Sequence, residues 1–317
     1  MEKLTAKEKS SFRTNGTPAK KTSSKRLEVL KTYKIYVGGQ FPRTESGRYY
    51  IARNEKGQQL ANVCLSSRKD FRDAVVAARG AFKSWAGRAA FNRGQILYRI
   101  AEMMEGRKAQ FVEELVQQDA TKSQALKEVN TSIDRLVYYA GWCDKYQQLF
   151  STVNPVASSH FNFSVPEPTG VVAAIASQND SLLGLVSLIA PVIAGGNVCV
   201  VLASEIKPLC SITFAEVINS SDVPGGVVNI LTGKPVELAL QFAAHMDVNA
   251  VINTMSDKTI NKDIKENGAA NVKRILIYDS VNWLSPAGES PYFIMDMQEI
   301  KTTWHPIEDI GGVGSKY

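Results

Sequence analysis

The residue types that most often carry covalent or metal chemistry are few and widely spaced in this sequence. Its 317 residues include four cysteines and three histidines. There is no C-x-x-C pair and no H-E-x-x-H motif, so the spacing predicts no zinc site. Cys199 and Cys210 lie in or near an apolar run, which favours buried packing over reactivity. Local spacing alone therefore indicates neither a nucleophile nor a metal centre.

The second half of the chain alternates short apolar segments with helical ones. Strands are predicted at 171–176, 197–202, 227–231, 248–252 and 274–278, and helices at 182–194, 211–219, 235–244 and 258–266. Strands that alternate with helices of this length form βαβ units, and their unbroken apolar character indicates a parallel sheet buried on both faces. We therefore predict an α/β core over residues 170–282, and such a sheet commonly binds a ligand at the carboxyl ends of its strands.

The residues before and after this core predict smaller units. Strand patterns at 33–37, 49–52 and 58–64 precede a helical set over 67–148, with helices at 68–84, 88–107, 108–119 and 122–147. Ser67 is a suitable N-cap for the first of these helices. Residues 161–168 are predicted to be extended. In the C-terminal segment 283–317, a linker precedes one or two strands at 292–304.

Charge is concentrated at the start of the sequence. Residues 1–31 contain nine lysines and arginines against three glutamates, which accounts for the whole net charge of +6. Because this segment has few large apolar groups, we predict a disordered basic tail. The neutral remainder excludes a nucleic-acid-binding body, so only the tail could contact nucleic acid, acidic protein or a membrane surface. No unbroken apolar stretch predicts a membrane span and no apolar signal segment follows Met1, so a cytoplasmic location is expected.

Five segments, in a fixed order, carry a family resemblance. They read Y-V-G-G-Q-F at 36–41, A-V-V-A-A-R-G-A-F-K-S-W at 74–85, E-P-T-G-V-V at 167–172, L-I-A-P-V-I-A-G-G-N at 188–197 and V-P-G-G-V-V-N-I-L-T-G at 223–233. Together they resemble the aldehyde dehydrogenase superfamily, whose motifs include E-P-x-G-V-V and P-x-G-V-V-N-V-V-x-G. The resemblance implies a Rossmann-type domain over residues 32–282, with N-terminal helices and a small β hairpin and tail used for assembly.

The positions that carry this family's chemistry differ here. The resemblance places Asn179, within S-Q-N-D-S, at the oxyanion-hole amide, and Tyr278 at the general-base glutamate. A tyrosine, with an ordinary pKa of about 10, is a poor base at neutral pH. The family's catalytic cysteine follows in a further large domain, but residues 283–317 contain no cysteine and match only a C-terminal strand, at 299–304. We therefore predict no catalytic residue, with Asn179 as a vestige.

The resemblance also identifies positions that would contact a cofactor ribose. The family's K-P-S-E motif reads L-A-S-E at 202–205. The lysine that would hydrogen-bond the ribose hydroxyls is therefore replaced by Leu202, while Ser204 and Glu205 remain. One half of the ribose site is lost.

The family's pyrophosphate turn, G-S-T-x-x-G, is altered more strongly. It reads M-S-D-K-T-I at 255–260, which keeps Ser256 and loses both glycines. Side chains at Met255 and Ile260 remove the close backbone approach that glycine allows, and Asp257 adds negative charge beside the phosphates. We expect no cofactor, or NAD or NADP bound weakly. The weak contacts left for it would come from Glu205, Ser204 and Ser256.

These departures predict a non-catalytic member of the superfamily with a structural or regulatory role, similar to the degenerate second copy of tandem aldehyde dehydrogenases. In the family, strands like those at 161–168 and 292–304 extend the sheet of a neighbouring subunit's catalytic domain. Because an unpaired strand exposes backbone donors and acceptors, we expect both segments to need another chain. That chain would be a full-length aldehyde dehydrogenase, or otherwise a second copy. Two hypotheses remain open beside this one: an NAD(P)-dependent aldehyde oxidoreductase that completes its site with a partner, and a binding module that uses the basic tail.

Overall fold

The computed structural model describes residues 29–307, so most of the predicted basic tail and the last ten residues lie outside the described part. The first elements are a small three-stranded sheet and a run of helices. They are β1 (Thr32–Tyr33), β2 (Tyr49–Arg53), β3 (Gln59–Cys64), α1 (Arg68–Ala86), α2 (Ala90–Gly106), α3 (Lys108–Gln117), α4 (Lys122–Ala140) and α5 (Tyr146–Phe150). Helix α1 begins where the sequence predicts, because the Ser67 hydroxyl accepts from the Asp70 N–H while the Asp70 carboxylate accepts from the Ser67 N–H.

The prediction of one helix over 122–147 is wrong at its C-terminal end. Helix α4 ends at Ala140, and the N–H of Gly141 donates to the carbonyl of Val137. A turn then leads into α5. Glycine costs about 1 kcal/mol relative to alanine inside a helix, and the apolar spacing alone did not weigh this cost.

The predicted α/β core is confirmed as a five-stranded parallel sheet covered by helices. After β4 (Thr152–Asn154) and β5 (His160–Pro168), its elements are β6 (Val171–Ile175), α6 (Ser181–Ala194), β7 (Val198–Leu202), α7 (Leu209–Asn219), β8 (Val228–Leu231), α8 (Pro235–Ala244), β9 (Ala250–Asn253), α9 (Lys258–Ala269) and β10 (Arg274–Ile277). Strands β6 to β9 are buried throughout, and α6 is buried on all sides. Between residues 29 and 307, no helix is long and apolar enough to cross a membrane.

The strand order is β10-β9-β6-β7-β8, and the side on which the chain adds new strands changes once. From β6 the chain adds β7 and β8 on one side, and it then crosses over to add β9 and β10 on the other. In sheets of this kind, the carboxyl ends of the strands on either side of this change border a crevice that commonly holds a ligand. Strands β6 and β9 therefore define where a site is expected.

Only residues 278–297 separate β10 from the last strand, β11 (Gln298–Pro306), and they include a short helix, α10 (Tyr292–Met295). The prediction of strands from residue 292 onwards is thus wrong for its first part. Strand β11 pairs antiparallel with β5 along its whole length, and β4 pairs with the opposite edge of β5. The expectation that these strands lack a partner within the chain is also wrong. What remains unpaired among the described strands of this sheet is the outer edge of β11 and that of β4.

Candidate functional site

Loops at the carboxyl ends of β6, β7, β9 and β10 meet at one edge of the parallel sheet. Two cavities lie there, one of about 500 Å³ between the loops after β6, β9 and β10, and one of about 720 Å³ between the loop after β7 and helices α8 and α9. A larger cavity, of about 970 Å³, lies between α2 and α4, away from these loops. The residues that the sequence singled out all lie on the loops at the sheet edge: Asn179, Ser204, Glu205, Ser256 and Tyr278.

Asn179 lies at an exposed position on the loop that leads into α6. The first backbone N–H groups of that helix donate to a carboxylate from α4: Leu182 and Leu183 lie 2.9 and 3.2 Å from Glu128 Oε1. Burial raises the pKa of Glu128, and the nearby negative charge of Asp180 adds to the rise, while the two hydrogen bonds oppose it. The backbone donors beside Asn179 are therefore already occupied by the chain's own carboxylate.

All four cysteines are free thiols and are buried. None of them lines either cavity at the sheet edge. Burial raises the pKa of the Cys143 thiol to about 12, and it also raises the pKa of Cys199 and Cys210. Since the thiolate is the nucleophilic form, the raised pKa disfavours attack by these three thiols, and no cysteine of this chain is placed to reach a carbonyl in this crevice.

Tyr278 follows β10 directly, and its hydroxyl donates to Asp296 Oδ2 at 2.6 Å. Its ring makes edge contacts with Trp283 and Phe293. Burial raises the pKa of Tyr278 well above its ordinary value, and the hydrogen bond to Asp296 and the charge of that carboxylate raise it further. The side chain is thus a protonated packing residue, not a base.

The ribose-type positions are used to hold the backbone of the loop after β7. Leu202 is fully buried in the sheet. The hydroxyl of Ser204 donates to the Gln178 carbonyl at 3.0 Å and accepts from the Lys207 N–H at 3.1 Å. The N–H of Glu205 donates to Gln178 Oε1 at 2.8 Å, which leaves the Glu205 carboxylate to line the 720 Å³ cavity. Ser204 is therefore a structural residue, and of residues 202–205 only Glu205 lines the 720 Å³ cavity.

The N-terminus of α9, where a pyrophosphate would approach, is closed by Asp257. Its Oδ1 accepts from the N–H groups of Thr259 and Ile260 at 2.8 and 3.0 Å. Ser256 is exposed beside it. A helix N-terminus binds phosphate through free N–H groups, and these two are already satisfied by an anion. The residues present therefore do not fit the pyrophosphate of a dinucleotide.

The connector after β10 is bound tightly to helix α4. Arg135 donates to the Trp283 carbonyl at 3.0 Å, to the Gly288 carbonyl, and to Ser187 Oγ at 2.7 Å. Its Nε lies 3.2 Å from a Glu289 carboxylate oxygen, and the Arg135 side chain is only 2% exposed. Trp283 is itself buried, so this connector covers one side of the crevice.

Sequence reasoning missed both charged residues of α4 that shape this region, Glu128 and Arg135. Each directly precedes a buried apolar residue of the helix, Val129 or Leu136. In a sequence, a charged side chain next to an apolar one is only weak evidence for a buried partner. Their partners are distant in the sequence and could not be identified from the helix alone.

Comparison with profiles of protein families shows which family the chain belongs to. The profile of the Aldehyde dehydrogenase family matches residues 42–302. The chain belongs to the aldehyde dehydrogenase family. The α/β fold and the resemblance predicted from the sequence motifs are both confirmed.

Individual relatives of this aldehyde dehydrogenase family member are longer than the chain. It is 31% identical over 276 residues to the cytosolic 10-formyltetrahydrofolate dehydrogenase of Mus musculus, and the aligned region covers 85% of this chain and 30% of that protein. The mitochondrial 10-formyltetrahydrofolate dehydrogenase of Homo sapiens is 29% identical over 280 residues, with 86% and 30% covered. A solved NAD+ complex of an aldehyde dehydrogenase from Bacillus cereus superposes with a TM-score of 0.74 at 26% identity, and covers 78% of this chain and 50% of that one. The chain thus spans about 30% of the length of those curated relatives and half of the solved one.

Proposed function

We propose that this chain is a non-catalytic aldehyde dehydrogenase-like subunit that assembles with a full-length member of the family and has a structural or regulatory role. The observation that carries the proposal is the unpaired outer edge of β11, a nine-residue strand at the side of its sheet. The occupied donors beside Asn179 and the packed Tyr278 support the non-catalytic part. The closed α9 N-terminus supports an accompanying expectation that the chain binds no cofactor.

The backbone of β11 offers a regular row of groups to a second strand. Pro166 of β5 has no N–H and lies opposite Ile300. Along an antiparallel strand pair, opposite residues that exchange two hydrogen bonds alternate with opposite residues that exchange none. Because Pro166 cannot donate, Pro166 and Ile300 form a pair of the second kind. The carbonyl of Pro166 points accordingly to the far side, where Gln147 Nε2 donates to it at 3.3 Å. By the same alternation, the N–H and C=O groups of Ile300, Thr302 and Trp304 face the free edge.

The side chains along this edge add an apolar component. Ile300 and Trp304 are each 57% exposed, although residues of this size are usually covered. Thr302 lies between them, with its hydroxyl 2.8 Å from Ser164 Oγ of β5. A partner strand would gain both the backbone row and contact with the two large side chains, as in other cases of strand addition.

The test uses two variants at one position. Thr302→Pro removes an N–H that faces outwards, which an edge strand tolerates, whereas Thr302→Ala keeps that N–H and loses only the hydroxyl contact. We expect the full chain, co-expressed with an aldehyde dehydrogenase from the same source, to elute with it in size-exclusion chromatography. Light scattering should give the mass of the complex. The complex should survive Thr302→Ala and be lost with Thr302→Pro. A stable monomer, a pure homo-oligomer, or equal behaviour of the two variants would contradict the proposal.

Activity separates this proposal from the enzymatic alternative. We expect the chain alone to form no NADH or NADPH from a panel of aldehydes beyond the background of a variant without cysteines, since covalent catalysis needs a thiolate. Mixing it with a family enzyme whose own catalytic cysteine is replaced should give no turnover either. Turnover in the mixture alone would favour an oxidoreductase that completes its site with a partner.

A further inference from the structure

The outer face of helix α1 carries a concentration of positive charge. The helix is 19 residues long, and by helical spacing its solvent-facing side holds five cationic residues: Arg68, Lys69, Arg72, Arg79 and Lys83. Of its two aspartates, Asp70 is buried in the N-terminal cap, and only Asp73 is exposed. Beyond residue 31 the chain has equal numbers of acidic and basic residues, so the overall composition does not reveal this face.

The chain neutralises these charges only in part. Arg68 and Lys83 form no ion pair within residues 29–307. Arg72 lies 3.4 Å from Asp73, but the two side chains are 59% and 52% exposed, and such pairs contribute little. Arg79 is held by hydrogen bonds to acceptors just before β9. The cations at 68, 72 and 83 are therefore available to an anion from outside.

A cavity of about 540 Å³ opens at the start of this face, where α1 meets the end of α8. Arg68, Arg72 and His245 line it. Glu45 is the carboxylate among its lining residues, and it is paired with Lys69 at 2.9 Å. The capping box described above already uses the start of α1, so these side chains, and not the helix N-terminus, provide the positive charge.

His245 adds a hydrogen-bond donor to this cavity. Its Nδ1 accepts from the N–H of Asp247 at 3.2 Å, so the hydrogen of the neutral ring lies on Nε2. The ring is also held by an edge contact with Phe71. Burial lowers the pKa of His245, and the positive charges of Arg68 and Arg72 lower it further. Positive charge without a partner therefore surrounds the ring and attracts an anion.

The shape of the face favours a protein segment as the source of that anion. From Arg68 to Lys83 the face extends about 23 Å, at about 1.5 Å per residue. Val76 lies midway along it and is 62% exposed. Near it, a Cβ at Gly80 would meet nothing within 4 Å, so a second backbone can approach closely there. An acidic segment with one apolar side chain matches both features.

Two other anionic partners fit this face less well. Single-stranded nucleic acid is bound largely by stacking on aromatic side chains, and no exposed residue of α1 is aromatic. A basic helix that lies on an anionic membrane inserts its apolar side into the membrane. The apolar side of α1 is instead buried against the parallel sheet.

We propose that the outer face of α1, with the cavity at its start, is a docking surface for an acidic segment of a partner protein. A carboxylate of that segment occupies the cavity beside Arg68, Arg72 and His245. Further carboxylates lie along the helix as far as Lys83, and an apolar side chain packs on Val76. The inference goes beyond the proposed assembly through β11 and does not depend on it.

Synthetic peptides of about 16 residues, enough to follow this helix over the length of the face, test the proposal. The first carries glutamate at every third or fourth position and one central leucine. The second has glutamine in place of glutamate, and the third has alanine in place of the leucine. Each is titrated into the full chain at pH 7 and low salt and followed by calorimetry. The glutamate peptide should bind more tightly than the glutamine peptide, and added salt should reduce the difference.

Two triple variants of equal net charge assign this binding to α1, with the basic tail present in both. The first removes three cations of the face: Arg68→Gln, Arg72→Gln and Lys83→Gln. The control removes three exposed lysines that lie elsewhere: Lys34→Gln, Lys122→Gln and Lys127→Gln. The first variant should weaken binding of the glutamate peptide roughly three- to hundredfold, and the control by about twofold at most.

Two further measurements place the peptide on the face. In NMR titrations, the glutamate peptide should raise the pKa of His245, because it neutralises the positive charge around the ring, and the glutamine peptide should not. His160 of β5 is the internal control and should not shift. Val76→Ser should remove the difference in affinity between the leucine and alanine peptides.

Several results would overturn the inference. These are equal affinities of the glutamate and glutamine peptides, equal losses in the two triple variants, or an unchanged pKa of His245. A short DNA duplex and vesicles with anionic lipid are measured in parallel, and a larger loss for either of them than for the peptide in the α1 variant would also contradict it. Failure of the assembly proposal would instead appear only in the Thr302→Pro experiment.

Discussion

Replacing Arg135 with alanine should loosen the connector that closes the crevice and destabilise the whole chain. Its guanidinium joins α4 to two connector carbonyls, those of Trp283 and Gly288, and to the hydroxyl of Ser187 on α6. The fourth contact is an ion pair with Glu289, whose side chain is 38% exposed. The substitution would leave the buried acceptors without a donor.

The size of the effect follows from the separate contacts. A buried acceptor left without its partner costs about 1–3 kcal/mol, and two carbonyls lose their donor here. The ion pair adds less, because Glu289 can turn to water and exposed pairs contribute only about 0–1 kcal/mol. We therefore expect Arg135→Ala to lower the free energy of unfolding by about 3–5 kcal/mol, near the middle of the summed range for the two carbonyls and the ion pair.

Urea unfolding measures this directly, followed both by far-ultraviolet circular dichroism and by the fluorescence of the tryptophans, which include the buried Trp283. Arg99→Ala is the control, since Arg99 forms an exposed pair with Glu102 on α2 and should cost about 0.5 kcal/mol. Hydrogen exchange over residues 283–297 should rise in Arg135→Ala and not in Arg99→Ala. A loss below 1 kcal/mol, or unchanged exchange in the connector, would refute the reasoning.

Two further predictions concern the cofactor site and a buried acid. Calorimetry with NAD or NADP should give millimolar or no binding, since two or three lost contacts at about 1–3 kcal/mol each move a micromolar site towards millimolar, and low-micromolar affinity would contradict the closed α9 N-terminus. Burial raises the pKa of Glu114, so its proton stabilises the folded state at low pH, and this contribution is lost as pH rises from about 4 through the raised pKa. In parallel urea titrations, the unfolding free energy of the wild type should therefore fall relative to that of Glu114→Gln as the pH rises over this interval. A difference that stays constant with pH would contradict the assignment.

The element types of the core could be predicted because their signals are local. The apolar runs that became β6 to β9 are buried on both faces, and the helices between them are indicated by their own apolar residues. The pairing of Ser67 with Asp70 involves residues three positions apart, so the start of α1 could be placed correctly. Errors occur at residues 141–145, which form a turn, and at 292–295, which form a helix; apolar spacing at both places is compatible with more than one backbone state.

By itself, the sequence determined the parallel α/β core, the family and the positions where family chemistry is altered, since each depends on residue type or on contacts between near neighbours. Only the tertiary structure showed what replaces that chemistry. Glu128 occupies the start of α6 from 54 residues away, Arg135 holds the Gly288 carbonyl from 153 residues away, and β11 pairs with β5 across the entire core. Such contacts depend on how distant elements pack, and no local pattern encodes which donor meets which acceptor.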